Sequence, residues 1–366
     1  MKKILYALLL VVPAFFTNCN FNRDRSTIKV GVILPLTGSL SKMGEMERNA
    51  MIIASEHLYR DSMRSVELIF EDNKSRSVDA VSAANKLLTM DNVDMIVSST
   101  TGASLAIQPI VDRYNIPHVA FCMDTEVSSL SKNTIRYYMG LEQEISAILD
   151  YLSICRGQRI GVLCCKIPAY ETLVNKYIKP YFISDDNALV YLDYYELNQT
   201  DFKSIVLQLK RANLHQLILL GYGFEYYNIY RQLVEQDVLH GFQILGGWGF
   251  LYTDMDAQLL EGTLVAGPEY VFENNVQTSE FKHSYYEKFG SYPNFDAAFS
   301  YELILNIPSI LSAKGDLKEY MSHKKVEKSL VGGYTFDSDG NMLLDIVGMG
   351  EYKDGNIESI FDGSIH

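Results

Sequence analysis

The densest group of side chains able to bind or react is Ser98-Ser99-Thr100-Thr101-Gly102-Ala103-Ser104, a run of hydroxyls just ahead of an apolar helical pattern. A serine nucleophile needs a base within hydrogen-bond reach, and the Gly-x-Ser-x-Gly turn that often carries one is absent. Hydroxyls and amides ahead of a helix can hold an anion such as a carboxylate without reacting. The plainer alternative is that residues 99–104 only cap the helix. No Gly-x-x-x-x-Gly-Lys-Ser/Thr loop occurs, and no Gly-x-Gly-x-x-Gly follows a strand, so nucleotide sites lack support. The pairs Asp185-Asp186 and Asp254/Asp256 read as solvated loop charges, and the histidines at 57, 118, 215, 240, 283, 323 and 366 are scattered. Neither Cys-x-x-Cys nor a His-rich spacing marks a zinc site. No enzyme signature emerges, and no metal or other cofactor is expected.

The amino terminus reads as targeting. Lys2 and Lys3 precede an apolar stretch over residues 4–16, the dimensions of a secretory signal. That is shorter than the roughly 20 apolar residues a membrane helix needs. Thr17-Asn18-Cys19-Asn20 then resembles a bacterial lipoprotein cleavage site, with Asn18 where Gly, Ala or Ser is usual. Cys19 is therefore the candidate lipidation residue, residues 1–19 the signal peptide and 20–27 the tether. The alternative is a cleavable signal with an incidental cysteine. Either way the mature protein is exported, to the periplasm or the cell surface, and a lipid would anchor it to a membrane. Export permits disulfides among Cys122, Cys155, Cys164 and Cys165, but spacing does not give a pairing. Cys164 and Cys165 end an apolar run and read as buried strand thiols.

The 366 residues are 48% hydrophobic and 21% charged, which excludes collagen-like, coiled-coil and largely disordered chains. At about 100–200 residues per domain, the length suggests two domains. A formal net charge of −13 without any basic run argues against nucleic acid as a partner.

Apolar β-branched runs at 28–34, 66–70, 94–97 and 119–122 alternate with helical spacing at 46–59, 78–90 and 104–114. The alternation restarts with helices at 145–152, 171–181, 202–212 and 226–236 and strands at 159–164, 188–195, 216–220 and 243–245. Further helices are expected at 279–289 and 296–312, and closing strands at 333–336 and 346–352. Two βα series of this kind predict an α/β chain with two doubly wound parallel sheets. Ligands of such sheets sit beyond the carboxyl ends of the strands. The loops at 36–44, 98–104, 121–128, 165–170, 221–225 and 246–252 are therefore the candidates for a cleft.

Several segments carry a family likeness: Ile28-Lys29-Val30-Gly31-Val32-Ile33-Leu34-Pro35-Leu36-Thr37-Gly38, Glu71-Asp72, the stretch 281–301 with Tyr285, Phe289-Gly290, Pro293, Ala297-Ala298 and Tyr301, and Tyr334-Thr335-Phe336-Asp337-Ser338-Asp339-Gly340-Asn341. From Ile28 to Tyr352 the chain resembles the type I periplasmic binding proteins of the branched-chain amino-acid and amide class, the substrate-capturing parts of bacterial ABC importers. The resemblance implies two lobes joined by crossovers near 138–141, 264–271 and 340–344. Lobe one would comprise 28–140 plus 272–340, and lobe two 141–271 plus 341–366. It further implies a monomer that closes on a small amino acid, amide or carboxylate and hands it to permease subunits, without covalent chemistry.

By position, the resemblance puts Thr100, Thr101 and Gly102 on the ligand carboxylate and Asp124 and Thr125 on its polar head. Met43 falls in the first loop, and Tyr170 and Tyr222 among the closing aromatics of the second lobe. Trp248 stands near the acidic residue that pairs with an amino group in amino-acid binders. A buried ammonium needs a counter-charge, so Asp124 would have to supply it, or the ligand lacks one and stacks on Trp248. Packing roles for Trp248, Tyr170 and Tyr222 are the alternatives. A ligand-sensing lipoprotein acting on a signalling partner is the competing reading of the same fold.

Overall fold

The computed structural model describes residues 27–62, 65–184, 186–221, 223–252, 255–272, 276–313 and 315–363. The signal, the candidate lipidation residue Cys19, and Tyr222 lie outside them. Among the described residues no helix is long and apolar enough to cross a membrane.

The first series gives β1 (Thr27–Leu34), β2 (Ser65–Asp72), β3 (Met95–Ser99), β4 (His118–Phe121) and β5 (Thr134–Arg136). They form one parallel sheet in the order β2-β1-β3-β4-β5. The second gives β6 (Arg159–Cys165), β7 (Ala188–Tyr195), β8 (Gln216–Leu220), β9 (Gln243–Gly246) and β10 (Leu264–Pro268). Central strands such as β3 and β8 are buried along their whole length, as strands covered by helices on both faces must be. A small antiparallel sheet follows, from β11 (Lys325–Val326), β12 (Tyr334–Phe336) and β13 (Met342–Leu344). The chain then returns to the second sheet as β14 (Val347–Lys353) and β15 (Asn356–Phe361), both antiparallel, completing the order β15-β14-β10-β9-β8-β6-β7.

Two α/β lobes result. The late helices Val276–Phe289 and Phe295–Ile310 pack on helix Ser41–Ser62 of the first lobe. Residues 264–268, which the resemblance assigns to a crossover, are a fully buried strand, and the passage between lobes follows them. The short edge strand β5 carries too few residues for periodicity to show. Cys122, Cys155, Cys164 and Cys165 are free thiols. Burial pushes the Cys122 thiol up to about 11 and Cys165 to about 12, so both stay protonated and unreactive.

Arg136 is fully buried at the end of β5, where the chain leaves the first lobe. Its Nε donates to Asn341 Oδ1 at 2.8 Å, Nη1 to the Tyr138 carbonyl at 2.5 Å and Nη2 to the Met342 carbonyl at 3.2 Å. Its own amide donates to the Gly340 carbonyl at 2.9 Å. One guanidinium thus binds the segments around 138 and 340–342, two of the passages between lobes. Gln143 adds a two-way link to Leu344, giving 2.8 Å and receiving 3.2 Å.

Replacing Arg136 with Met keeps the stem but removes the donor from two carbonyls, of Tyr138 and Met342, and one of two donors from Asn341 Oδ1, which also accepts from Ser128 Oγ. The expected loss is about 3 kcal/mol or more, read as a lower urea midpoint, with Arg136→Lys recovering part of it. A midpoint unchanged in Arg136→Met would show that the guanidinium is not the pin.

Candidate functional site

Between the lobes lies a cleft of about 1310 Å³, lined from both sides by segments that leave the carboxyl ends of parallel strands. Each of the six loops singled out by the sequence contributes to its wall. It is larger than a typical small-molecule pocket of roughly 300–1,000 Å³.

The first loop is held from below by Asp72. Its carboxylate accepts from the Leu36 amide at 3.0 Å, the Thr37 amide at 3.1 Å, the Thr37 hydroxyl at 2.6 Å and the Lys74 amide at 2.7 Å. Burial alone would raise this carboxyl, but those donors, the Thr37 hydroxyl foremost, hold it below its ordinary value. Helix Ser41–Ser62 then starts against the loop so closely that a Cβ on Gly44 would sit 2.4 Å from the Pro35 carbonyl oxygen. This approach sets Met43, Met46 and Glu47 along the cleft.

Thr100 precedes helix Thr101–Tyr114 with φ +79°, a conformation strained for a β-branched residue and of a kind that clusters at ligand sites. Its Oγ1 accepts from the Ala103 amide at 3.4 Å. The first amides of a helix have no partner within it, so Thr101 opens the helix with free donors beside the cleft. Gly102 is exposed and lies outside the lining, next to Ser77 Oγ. Asp124 and Thr125 line the cleft, but each already has local work. Asp124 Oδ1 accepts from the Glu126 amide at 2.9 Å, and Thr125 Oγ1 donates to Glu142 Oε1 at 3.3 Å.

On the second lobe, Trp248 Nε1 donates to the Tyr170 hydroxyl at 3.0 Å, and the indole meets Tyr252 edge-on at 5.2 Å between centroids. Tyr170 is buried and still lines the cleft, so it both packs and presents surface. Under Trp248 sits Glu144, buried, its Oε2 accepting the Trp248 amide at 2.9 Å. Gly247 is required there, because an added Cβ would overlap the Glu144 carboxyl at 1.7 Å. Burial pushes this carboxyl up to about 8 against that one hydrogen bond.

Sequence reasoning missed the two buried acids of the cleft lining, Glu47 and Asp296, each 1% exposed. Glu47 Oε1 accepts the Ser99 hydroxyl at 2.9 Å, while Oε2 has no hydrogen-bond partner. Asp296 accepts from the hydroxyls of Tyr138 and Tyr252 and from Asn294 Nδ2 at 3.0 Å. Burial and then repulsion from Asp296 push Glu47 up strongly; burial outweighs three hydrogen bonds to raise Asp296. Both stand among apolar residues at helical spacing, Glu47 three before Ala50 and Asp296 between Phe295 and Ala297. A charge within an otherwise apolar helical segment is the one signal the sequence held for them.

His118, by contrast, is buried in the first sheet between the hydroxyls of Ser98 at 2.8 Å and Thr134 at 2.9 Å. Burial lowers its pKa to about 3, which keeps it neutral.

Glu144 sets a pH dependence. Between its ordinary value near 4.5 and its folded value near 8, the unfolded chain is ionised while the folded one stays protonated. Its contribution to stability is therefore full below about pH 4.5 and lost progressively up to about 8. Glu144→Gln, which keeps an acceptor for Trp248, should melt near wild type at pH 5 and above it at pH 8. Parallel melting curves across that range would refute the assignment.

Comparison with known proteins agrees with this geometry. The family model described as periplasmic binding protein matches residues 27–330. No curated protein matches the sequence significantly. Among solved structures, the solute-binding protein of an ABC transporter from Rhodopseudomonas palustris BisB5, in complex with 3,4-dihydroxybenzoic acid, superposes with a TM-score of 0.77 at 20% identity, covering 92% of this chain and 97% of that one. The branched-chain amino acid transporter substrate-binding protein LivJ of Streptococcus pneumoniae, in complex with isoleucine, gives 0.77 at 18% identity over 92% and 99%. A leucine-binding protein from Thermotoga maritima gives 0.71 at 21% over 92% and 99%. With the two lobes, the interlobe cleft and a match over most of its length, the chain belongs to the periplasmic binding protein family, with the type I fold and a role in binding rather than catalysis.

Proposed function

We propose that the protein captures a small amino acid, amide or carboxylate solute in the interlobe cleft and delivers it to the permease of an ABC importer. The family is extracytoplasmic; anchoring through Cys19 is part of the proposal. One observation carries it: a cleft walled by both lobes, with the helix-opening amide of Thr101 beside the Thr100 and Thr101 side chains on one wall and aromatic rings at Tyr170 and Trp248 on the other. Isoleucine and 3,4-dihydroxybenzoic acid, held by relatives of the fold, both pair a carboxylate with an apolar body. Such a solute would place its carboxylate on the helix terminus and its body on the rings. Closure about the passages that Arg136 ties together would remove it from water, the solute's contacts selecting the closed state.

Trp248 is the only tryptophan of the chain, so its fluorescence reports the cleft alone. The full-length chain, purified in mild detergent, is titrated with leucine, isoleucine, phenylalanine, benzoate and 4-hydroxybenzoate while emission and melting temperature are followed. At least one should move both, since a solute at a hundred times its Kd adds about 2.7 kcal/mol. Trp248→Phe should lose the optical signal and keep a thermal shift. A panel extended to amides and ureas that moves neither readout would remove the reading.

A further inference from the structure

We propose that Glu47 and Asp296 form a cation subsite that receives an ammonium group of the solute, making the preferred solutes amines and amino acids. This rests on the reading of the cleft as a solute site and narrows it. The subsite lies on the first lobe, across the cleft from the lobe-two position where the family resemblance expects an acid and the chain has Trp248.

Glu47 reaches the cleft from helix Ser41–Ser62 and Asp296 from the first turn of helix Phe295–Ile310, two helices packed on one another. Among the described residues neither carboxyl takes part in an ion pair, although each is 1% exposed. Asp296 has its oxygens engaged by two tyrosine hydroxyls and one amide, all donating to it. Glu47 offers one open acceptor, Oε2, buried at the cleft wall. A second buried carboxylate beside the first is costly without a counter-charge. An ammonium supplies that charge together with three donors, one of them for Oε2.

The surroundings suit the same occupant. Carboxylates outnumber lysines in the lining, five (Glu47, Asp124, Glu126, Glu142, Asp296) to two (Lys42, Lys176). The rings of Tyr138, Tyr252, Trp248 and Phe121 line the same cleft, and ring faces attract a desolvated cation. Tyr252 belongs to the second lobe, so Asp296 already joins the two lobes at this point.

The test uses matched triplets on the full-length chain: phenylalanine, 3-phenyllactate and 3-phenylpropionate; leucine, 2-hydroxyisocaproate and isocaproate. Two amines without a carboxylate, phenethylamine and putrescine, complete the set. Binding is read by calorimetry and thermal shift. The expected result is that ammonium-bearing compounds bind at least about tenfold tighter than their hydroxy and deoxy partners. Glu47→Gln should then erase most of that preference while leaving the hydroxy acids bound as before. Should Glu47→Gln not fold, Asp296→Asn is read in the same way. Hydroxy or unsubstituted acids binding as well as the amino compounds would overturn the subsite while leaving solute capture intact. A preference unchanged in both variants would overturn the assignment to these residues. Absence of binding by every compound, including the benzoates and amides above, would overturn solute capture itself and the subsite with it.

Discussion

The guanidinium of Arg136 is the contact on which the two-lobed arrangement depends. A charge buried this completely survives only if each donor is matched, and its acceptors are chain segments passing between lobes. Carbonyls of Tyr138 and Met342 are fixed by the same planar group, so the passages keep a common geometry. Two sheets that share no strand are thereby linked at one place, beside the cleft.

Electrostatics inside the cleft run against stability. Glu47, Glu144 and Asp296 are acids buried without ion-pair partners, and Thr100 sits in a strained backbone conformation. Each costs free energy that apolar substitutes would not, a pattern expected where a site is prepared for a ligand. The three acids are nonetheless handled differently. Glu144 is turned inward to hold the Trp248 amide, Asp296 is engaged by tyrosines and Asn294, and Glu47 keeps one buried oxygen, Oε2, without a hydrogen-bond partner.

Much of the fold was legible because parallel strands buried on both faces leave a dense apolar imprint. Runs such as 216–220 and 159–164 have no other plausible place. Elements missed were those without such an imprint: the very short strands β5, β11 and β13, the exposed edge strand β15, and β10, whose Leu-Val-Ala-Gly-Pro ends in residues that usually signal a turn. In the site, the hydroxyl run at 98–104 and the loop bearing Trp248 stood out by residue type. Glu47, Asp296 and Tyr138 did not, because each lies within a segment that reads as packing.

By itself the sequence determined the alternation of strands and helices and the ends of the strands from which a site must be built. These follow from local periodicity and residue chemistry, which neighbours in the chain decide. Only the tertiary structure decided that Glu47 and Asp296, 249 positions apart, share one wall, that Glu144 lies under Trp248, and that Arg136 gathers the passages between lobes. Those are long-range juxtapositions, set by how sheets and helices pack, and no local pattern encodes which buried charge will face which.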